Sequence, residues 1–380
     1  MTVSKSHKVH RVLLVFVSLA FVLVCLEFPA LIGILDYRSI FGLGRLSSYP
    51  TDVRDPELLH IHPPHSHYSG ARLGGLATLA YQIPQSDMTP YQWDTRYDEN
   101  GFRNERDLKS ADIVVIGDSF VEDMTVPQAQ LTTSLLARLQ GKMVANLGQV
   151  GYGPQQELIV LNRYGLPLRP STVVWMFYEG NDLQDVLDYD HSIRNPPTFW
   201  SAFFERSFTR NAVGQMKRLL LKPPAKPSGL AHSGIFQASD GKKLNLYFYR
   251  LSGPLTKEDV GALDETTGII AEAFKLCVAQ GSRLLVVFVP DGFRVFRQFC
   301  QFPEESQCRK WVPNDLPDRL RSAVGSVSGE IGYLDLTPNL VNALKKGAVS
   351  YRADDPHWSA DGHRIAAEAI NDYLSSTVSR

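Results

Sequence analysis

Five short runs of apolar, mostly β-branched residues, separated by helical stretches, constrain this chain more than any other feature. Asp112–Ile116 (DIVVI), Lys142–Leu147, Thr172–Phe177 (TVVWMF), Arg283–Val289 (RLLVVFV) and Tyr333–Leu336 read as strands. Between them a helix begins near Pro127, with Leu131, Leu135, Leu136 and Leu139 on one face. Further helices are expected over Gln155–Tyr164, Glu258–Ala279, Leu316–Val327 and Ala360–Leu374. Strands that are apolar throughout, rather than alternating, are buried on both faces, and a strand–helix rhythm joins them in parallel. The expectation is a single α/β/α sandwich on a parallel sheet over residues 110–376.

A second apolar block lies at the N-terminus, where Val12–Leu35 carries one charge, Glu27. At ~1.5 Å per residue this run is long enough to cross a ~30 Å hydrocarbon layer. Its uninterrupted part, Val12–Leu26, is shorter, so a cleaved secretory signal is the competing reading. No small-x-small cleavage site follows, which favours an uncleaved transmembrane anchor over 12–35. A lipid-attachment site at Cys25 fits poorly because Val24 precedes it. Lys5, Lys8 and Arg11 flank the run on its N-terminal side, so residues 1–11 are expected to stay cytoplasmic. Either reading sends the remaining chain to the far, periplasmic side of the inner membrane.

Residues 36–109 show no long periodic segment and read as an irregular lead-in. Within it His60, His62, His65 and His67 stand close together. Such a tract can hold a metal, but no acidic or cysteine partner stands at ligand spacing, and an ordinary loop is expected. Residues 190–235 form an insertion, opened by Pro196-Pro197 and closed by Pro223, Pro224 and Pro227. Inside it Phe199, Trp200, Phe203, Phe204, Phe208, Ala212, Met216, Leu219 and Leu220 recur at helical spacing, with Arg206, Arg210, Lys217, Arg218 and Lys222 largely elsewhere. A basic amphipathic helix over 199–221 suits a membrane surface, and packing on protein is the alternative. Of the 4 cysteines, Cys277 reads as core, whereas Cys300 and Cys308 are either bridged in an oxidising compartment or free. With 39 Lys+Arg against 40 Asp+Glu there is no basic field for nucleic acid.

In a doubly wound sheet the site lies at the carboxyl ends of the strands. Each strand here runs into a polar turn: Gly117-Asp118-Ser119-Phe120, then Asn146–Gly153, then Glu179-Gly180-Asn181-Asp182. Asp354-Asp355-Pro356-His357-Trp358 comes just before the last helix. Acyl transfer needs a nucleophile, a base, an orienting acid and donors for an oxyanion. Ser119 enters a helix, whose free N–H groups lie beside it. Gly151 lets a ligand approach its N–H closely, and Asn181 supplies an amide donor that cannot titrate. His357 is the best-placed base, because the other histidines precede the sheet, fall in the insertion or, like His363, sit within the last helix.

These residues resemble the SGNH (GDSL-type) hydrolase superfamily over roughly residues 110–376. Gly117-Asp118-Ser119 is similar to its nucleophile block, Gly151 and Asn181 to its oxyanion glycine and asparagine, and His357 to its base. The resemblance implies a flavodoxin-like α/β/α sandwich, a three-donor hole completed by the N–H of Ser119, and no metal or organic cofactor. Many members place the acid three residues before the histidine, which here is Asp354. The Asp355-Pro356-His357-Trp358 string is instead similar to the Asp-x-His-Trp arrangement of the alginate O-acetyltransferase-like branch, which favours Asp355. The expected activity is that of an exported, membrane-anchored serine esterase acting on an acyl ester or acetylated carbohydrate. The same acyl-enzyme delivered to a carbohydrate hydroxyl would make an O-acyltransferase, and a sandwich kept only for carbohydrate binding is the third class.

Overall fold

The computed structural model describes residues 3–41, 53–196, 198–221, 226–237, 241, 243–250 and 252–378. Lys222, Pro197, Pro223 and Pro224 of the insertion lie outside the described residues. In chain order, α1 (Val3–Leu31) and a short turn α2 (Tyr37–Ile40) precede two strands, β1 (His67–Leu73) and β2 (Pro90–Arg96). Then come β3 (Ile113–Gly117), α3 (Ser119–Glu122), α4 (Thr132–Gln140), β4 (Val144–Gly148), α5 (Pro154–Val160) and β5 (Thr172–Tyr178). Three helices follow, α6 (Asp182–Arg194), α7 (Phe199–Arg206) and α8 (Phe208–Leu220), then β6 (Ser233–Gln237) and β7 (Lys243–Tyr247). The chain ends with α9 (Lys257–Ala279), β8 (Arg283–Val289), β9 (Cys300–Gln301), α10 (Leu316–Val327), β10 (Gly332–Asp335), α11 (Thr337–Lys345) and α12 (Ala360–Val378).

Contacts divide the chain into two units, one of residues 50–193 and 226–380, the other of residues 1–49 and 194–225. The larger unit is built on a five-stranded sheet of order β10-β8-β5-β3-β4, parallel throughout. In chain order the five strands lie 5-4-3-1-2, so the winding reverses between β3 and β5, the flavodoxin-like topology. Register is fixed by pairs such as Ile113↔Val144, Ile113↔Thr172 and Thr172↔Arg283. Because successive side chains point to opposite faces, Val115, Val174, Met176 and Val287 join one core with Leu136, Ile365 and Ile370. Val114, Ile116, Trp175, Val286 and Phe288 join a second core with Ile270 and Leu320. The sheet is therefore covered on both faces, which is why every residue of β3 and β5 is buried.

The lead-in departs from expectation. β1 and β2 pair antiparallel from His67↔Arg96 to Leu73↔Pro90. In β2 the residues Tyr91, Trp93 and Thr95 are buried while their neighbours are exposed. A further sheet, antiparallel and of order β7-β6-β9, begins at Ser233, inside the stretch read as insertion. Leu139, assigned to the buried face of α4, is 50% exposed, whereas Leu131 and Leu136 are fully buried. Cys300 and Cys308 are both free thiols, and burial first of all pushes them up to about 12 and about 11. Cys277 is buried in the core, as its pattern indicated.

In the smaller unit, α1 contains an apolar stretch, His10–Leu31, long enough to cross a membrane; it is exposed from His10 to Cys25, and Ala30 near its end is buried. The amphipathic run in this unit is two helices rather than one. Ser207 has extended backbone, φ −51° and ψ 135°, and its hydroxyl accepts from the N–H of Arg210 as the cap of α8. Glu27 of α1 accepts from Ser207 Oγ at 2.9 Å, Phe208 N at 3.1 Å and Thr209 N at 2.7 Å.

Candidate active site

Ser119 opens α3 directly beyond the end of β3. Asp118 caps that helix by accepting from the N–H of Phe120 at 2.9 Å. Gly117 makes the junction possible, because a Cβ there would run into Val121 and the backbone oxygen of Met176. The strand can therefore turn into the helix without displacing β5, and the serine is left at the rim of the sheet.

His357 Nε2 lies 2.8 Å from Ser119 Oγ, and its Nδ1 lies 2.5 Å from Asp355 Oδ1. The same Asp355 oxygen accepts from the N–H of His357 at 3.1 Å. Asp355 Oδ2 accepts from the N–H of Leu76 at 2.9 Å and faces the Arg72 guanidinium at 3.6 Å. With Nδ1–H committed to the carboxylate, Nε2 presents its lone pair to the serine hydroxyl. Burial works most strongly against the imidazolium, but the Asp355 carboxylate, with a smaller contribution from Asp123, raises the His357 pKa above its ordinary value. Burial alone would raise Asp355; His357 and Arg352 instead hold it below the usual carboxylate range. Phe120 packs against the imidazole at 5.2 Å, and fully buried Trp358 packs edge-on against Phe120 at 5.0 Å.

Asp354 is occupied elsewhere. Its Oδ2 accepts from the N–H groups of Gly75 at 2.8 Å and Thr89 at 3.1 Å, and its Oδ1 from Tyr91 Oη at 3.1 Å. It fastens the lead-in to the loop before α12, and Asp355 is the carboxylate on the imidazole.

Gly151 and Asn181 stand on the loops beyond β4 and β5, the two neighbours of β3. Among the described residues neither is bonded to Ser119 or His357. Gly151 has φ +78°, and an added Cβ would meet nothing closer than His60 Cε1 at 4.0 Å, so no side chain crowds its Cα. The Asn181 amide donates to Asp185 Oδ2, whose carboxyl is pushed up to about 7, by burial above all. This carboxylate fixes the amide plane beside Asp118.

The histidine tract does not gather. His60 Nε2 bonds the Val150 carbonyl oxygen at 3.0 Å, His62 is buried, and His67 pairs with Asp94. Among the described residues no group of three His, Cys, Asp or Glu is placed to hold a metal ion. His363 is fully buried between Asp123 Oδ2 at 3.1 Å and Thr132 Oγ1 at 2.9 Å, tying α12 to the end of α3.

Sequence reasoning missed Glu122. It is fully buried: its Oε1 takes His62 Nε2 at 3.0 Å and Tyr97 Oη at 2.5 Å, and its Oε2 accepts from the N–H of Val150 at 2.7 Å. Burial would raise this carboxyl, but His62 and these donors hold it below the usual range. The ionised side chain at the end of α3 thus pins the residue before Gly151. Its only sequence signal is a glutamate three residues after the serine, which a helix surface would explain equally well.

No family model and no curated protein matches the chain. Among solved structures, it is similar to a GDSL-like lipase from Bacteroides thetaiotaomicron at 13% identity, covering 70% of this chain and 88% of that one, with a TM-score of 0.34. A lipase/acylhydrolase from Enterococcus faecalis aligns at 15% identity over 70% of this chain and 95% of that one, with a TM-score of 0.35. An acetyl xylan esterase from the rumen bacterium Butyrivibrio proteoclasticus aligns at 10% identity over 77% and 71%, also at 0.35.

Proposed function

We propose that this chain is a membrane-anchored ester hydrolase of the SGNH type, working through an acyl-enzyme on Ser119. The observation that carries the reading is the unbroken relay from Ser119 Oγ to His357 Nε2 at 2.8 Å and from His357 Nδ1 to Asp355 at 2.5 Å. It stands where the sheet's winding reverses, the place at which open α/β sheets bind ligands.

In the first step Ser119 Oγ attacks the ester carbonyl while its proton passes to His357 Nε2. The imidazolium is stabilised by Asp355, and the tetrahedral oxyanion by the N–H groups of Ser119 and Gly151 and the Asn181 amide. Collapse expels the alcohol, which takes the proton from His357, and leaves the acyl group on Ser119. Water, deprotonated by His357, then attacks the acyl carbon and returns Ser119 with its proton. α1 holds the chain in the inner membrane with the catalytic unit on the periplasmic side, a reading supported by the basic residues that precede its apolar stretch.

Acyl release from a chromogenic acetate ester tests this function, with and without an acetylatable polysaccharide. Hydrolysis independent of the polysaccharide is the expected result. Acceleration by the polysaccharide, with acyl groups appearing on the sugar, would replace the hydrolase with an O-acyltransferase.

Two further outcomes follow from the electrostatics. The base must be neutral to accept the serine proton, and Asp355 raises its pKa. kcat/KM should therefore fall on acidification through an apparent pKa above the ~6.5 of free histidine. A pH profile whose acid limb lies below that value would contradict the pairing. Glu122→Gln removes the charge that holds Val150. It should lower kcat about tenfold or more with KM little changed, since a displaced Gly151 N–H is lost mainly in the transition state. Glu122→Asp, which keeps the charge, should restore part of kcat; steady-state kinetics on both variants separates this from a loss of folded enzyme.

A further inference from the structure

Glu27 is the one charge in the Val12–Leu35 run, and an ionised carboxylate there is costly unless it is bonded. In the smaller unit it is bonded three times, to Ser207 Oγ, Phe208 N and Thr209 N. A helix leaves its first N–H groups without partners and carries positive potential at that end. Glu27 supplies the acceptors for the first two residues of α8, while Ser207 serves Arg210. The carboxylate thus fastens the start of α8 to α1. Two neighbours reinforce the joint: Arg38 bonds Glu205 of α7 at 2.8 Å, and Phe208 packs its ring on Tyr37 at 5.2 Å.

This joint sets a depth. Glu27 lies four residues before the end of α1 at Leu31, about 6 Å along the helix axis. Helices lying in a bilayer interface sink their apolar face about 5–10 Å into the headgroup and acyl boundary. α7 and α8 carry what such a position needs. Trp200 is 61% exposed, Phe204 55%, Met216 54%, Leu219 77% and Leu220 76%. The sequence of α8, FTRNAVGQMKRLL, has Arg210, Lys217 and Arg218 and no acidic residue. Exposed apolar side chains on protein in water would cost free energy, whereas in lipid they are buried, and the basic residues face anionic headgroups.

We propose that the α7–α8 pair lies in the lipid interface at the end of α1, with Glu27 as the internal cap that holds it there. The inference rests on α1 being a membrane span.

Trp200 is a built-in reporter, because the other four tryptophans are at most 9% exposed. The full chain is placed in nanodiscs of phosphatidylcholine and phosphatidylglycerol carrying bromine at a shallow or a deep acyl position. Shallow bromine should quench tryptophan emission more than deep bromine, and Trp200→Phe should abolish the quenching. Leu219→Glu with Leu220→Glu, both on the surface, should reduce it without changing the thermal midpoint in detergent. Glu27→Ala should speed amide exchange at Phe208 and Thr209. Equal quenching in wild type and Trp200→Phe, or Trp200 shielded from both lipid bromine and aqueous iodide, as contact with a second copy would produce, overturns the proposal. Alkaline carbonate separates the two readings. A chain released from the membrane by it overturns the anchor and this proposal together; a chain that stays with Trp200 unquenched overturns this proposal alone.

Discussion

Asp355→Asn is expected to lower kcat/KM for an activated ester by about 10³- to 10⁴-fold, the scale on which a triad acid acts when its loss leaves the imidazole in the wrong tautomer. The geometry gives the reason. Asp355 Oδ1 accepts from His357 Nδ1 at 2.5 Å, and an asparagine there would offer either a weaker acceptor or a competing donor. The acid limb of the pH profile should move down at the same time, since the carboxylate that does most to raise His357 is gone. Asp354→Asn is the control. Its carboxylate binds two backbone N–H groups and Tyr91, none of them in the relay, so the loss should fall on stability, about 1–3 kcal/mol, with activity per folded molecule within roughly tenfold of wild type. A larger activity loss from Asp354→Asn than from Asp355→Asn would reverse the assignment.

Ser119→Ala and His357→Ala should each lower kcat by about 10⁴- to 10⁶-fold, and the double variant should lose no more than either single one. Non-additivity is the diagnostic part. Groups that act in one proton transfer fail together, because a serine without its base and a base without its serine are equally idle. Two independent losses that multiply would show that Ser119 and His357 do not share a step, whatever their 2.8 Å separation. Both side chains are partly accessible at the rim of the sheet, so thermal midpoints of the variants should stay close to wild type.

The sheet was legible because its strands are continuously apolar, and only a buried parallel strand tolerates that pattern. Observed strand limits fall within two residues of those read from sequence; β8 and α10 coincide with theirs. Ser119 and Asn181 were legible as polar residues in turns after those strands, and His357 as the histidine in the loop before the last helix. Elsewhere the deciding partners are far away in sequence. β1, HYSGARL, has no residue fully buried, so no alternation announces it, and it is placed by pairing with β2. The helical period runs through Ser207 without a break, and the break comes from a carboxylate 180 positions earlier. Asp354 and Asp355 are chemically identical neighbours. They are sorted by N–H groups of Gly75, Leu76 and Thr89, which no local pattern relates to them. His62 and Glu122, 60 residues apart, are informative only as a pair.

The most direct test is active-site labelling of the full-length protein with a fluorophosphonate, followed by mass mapping of the adduct. One label per chain on Ser119, lost in His357→Ala and strongly slowed in Asp355→Asn, is the expected result. An unlabelled chain, or a label on another residue while Ser119 stays free, would contradict the acyl-enzyme.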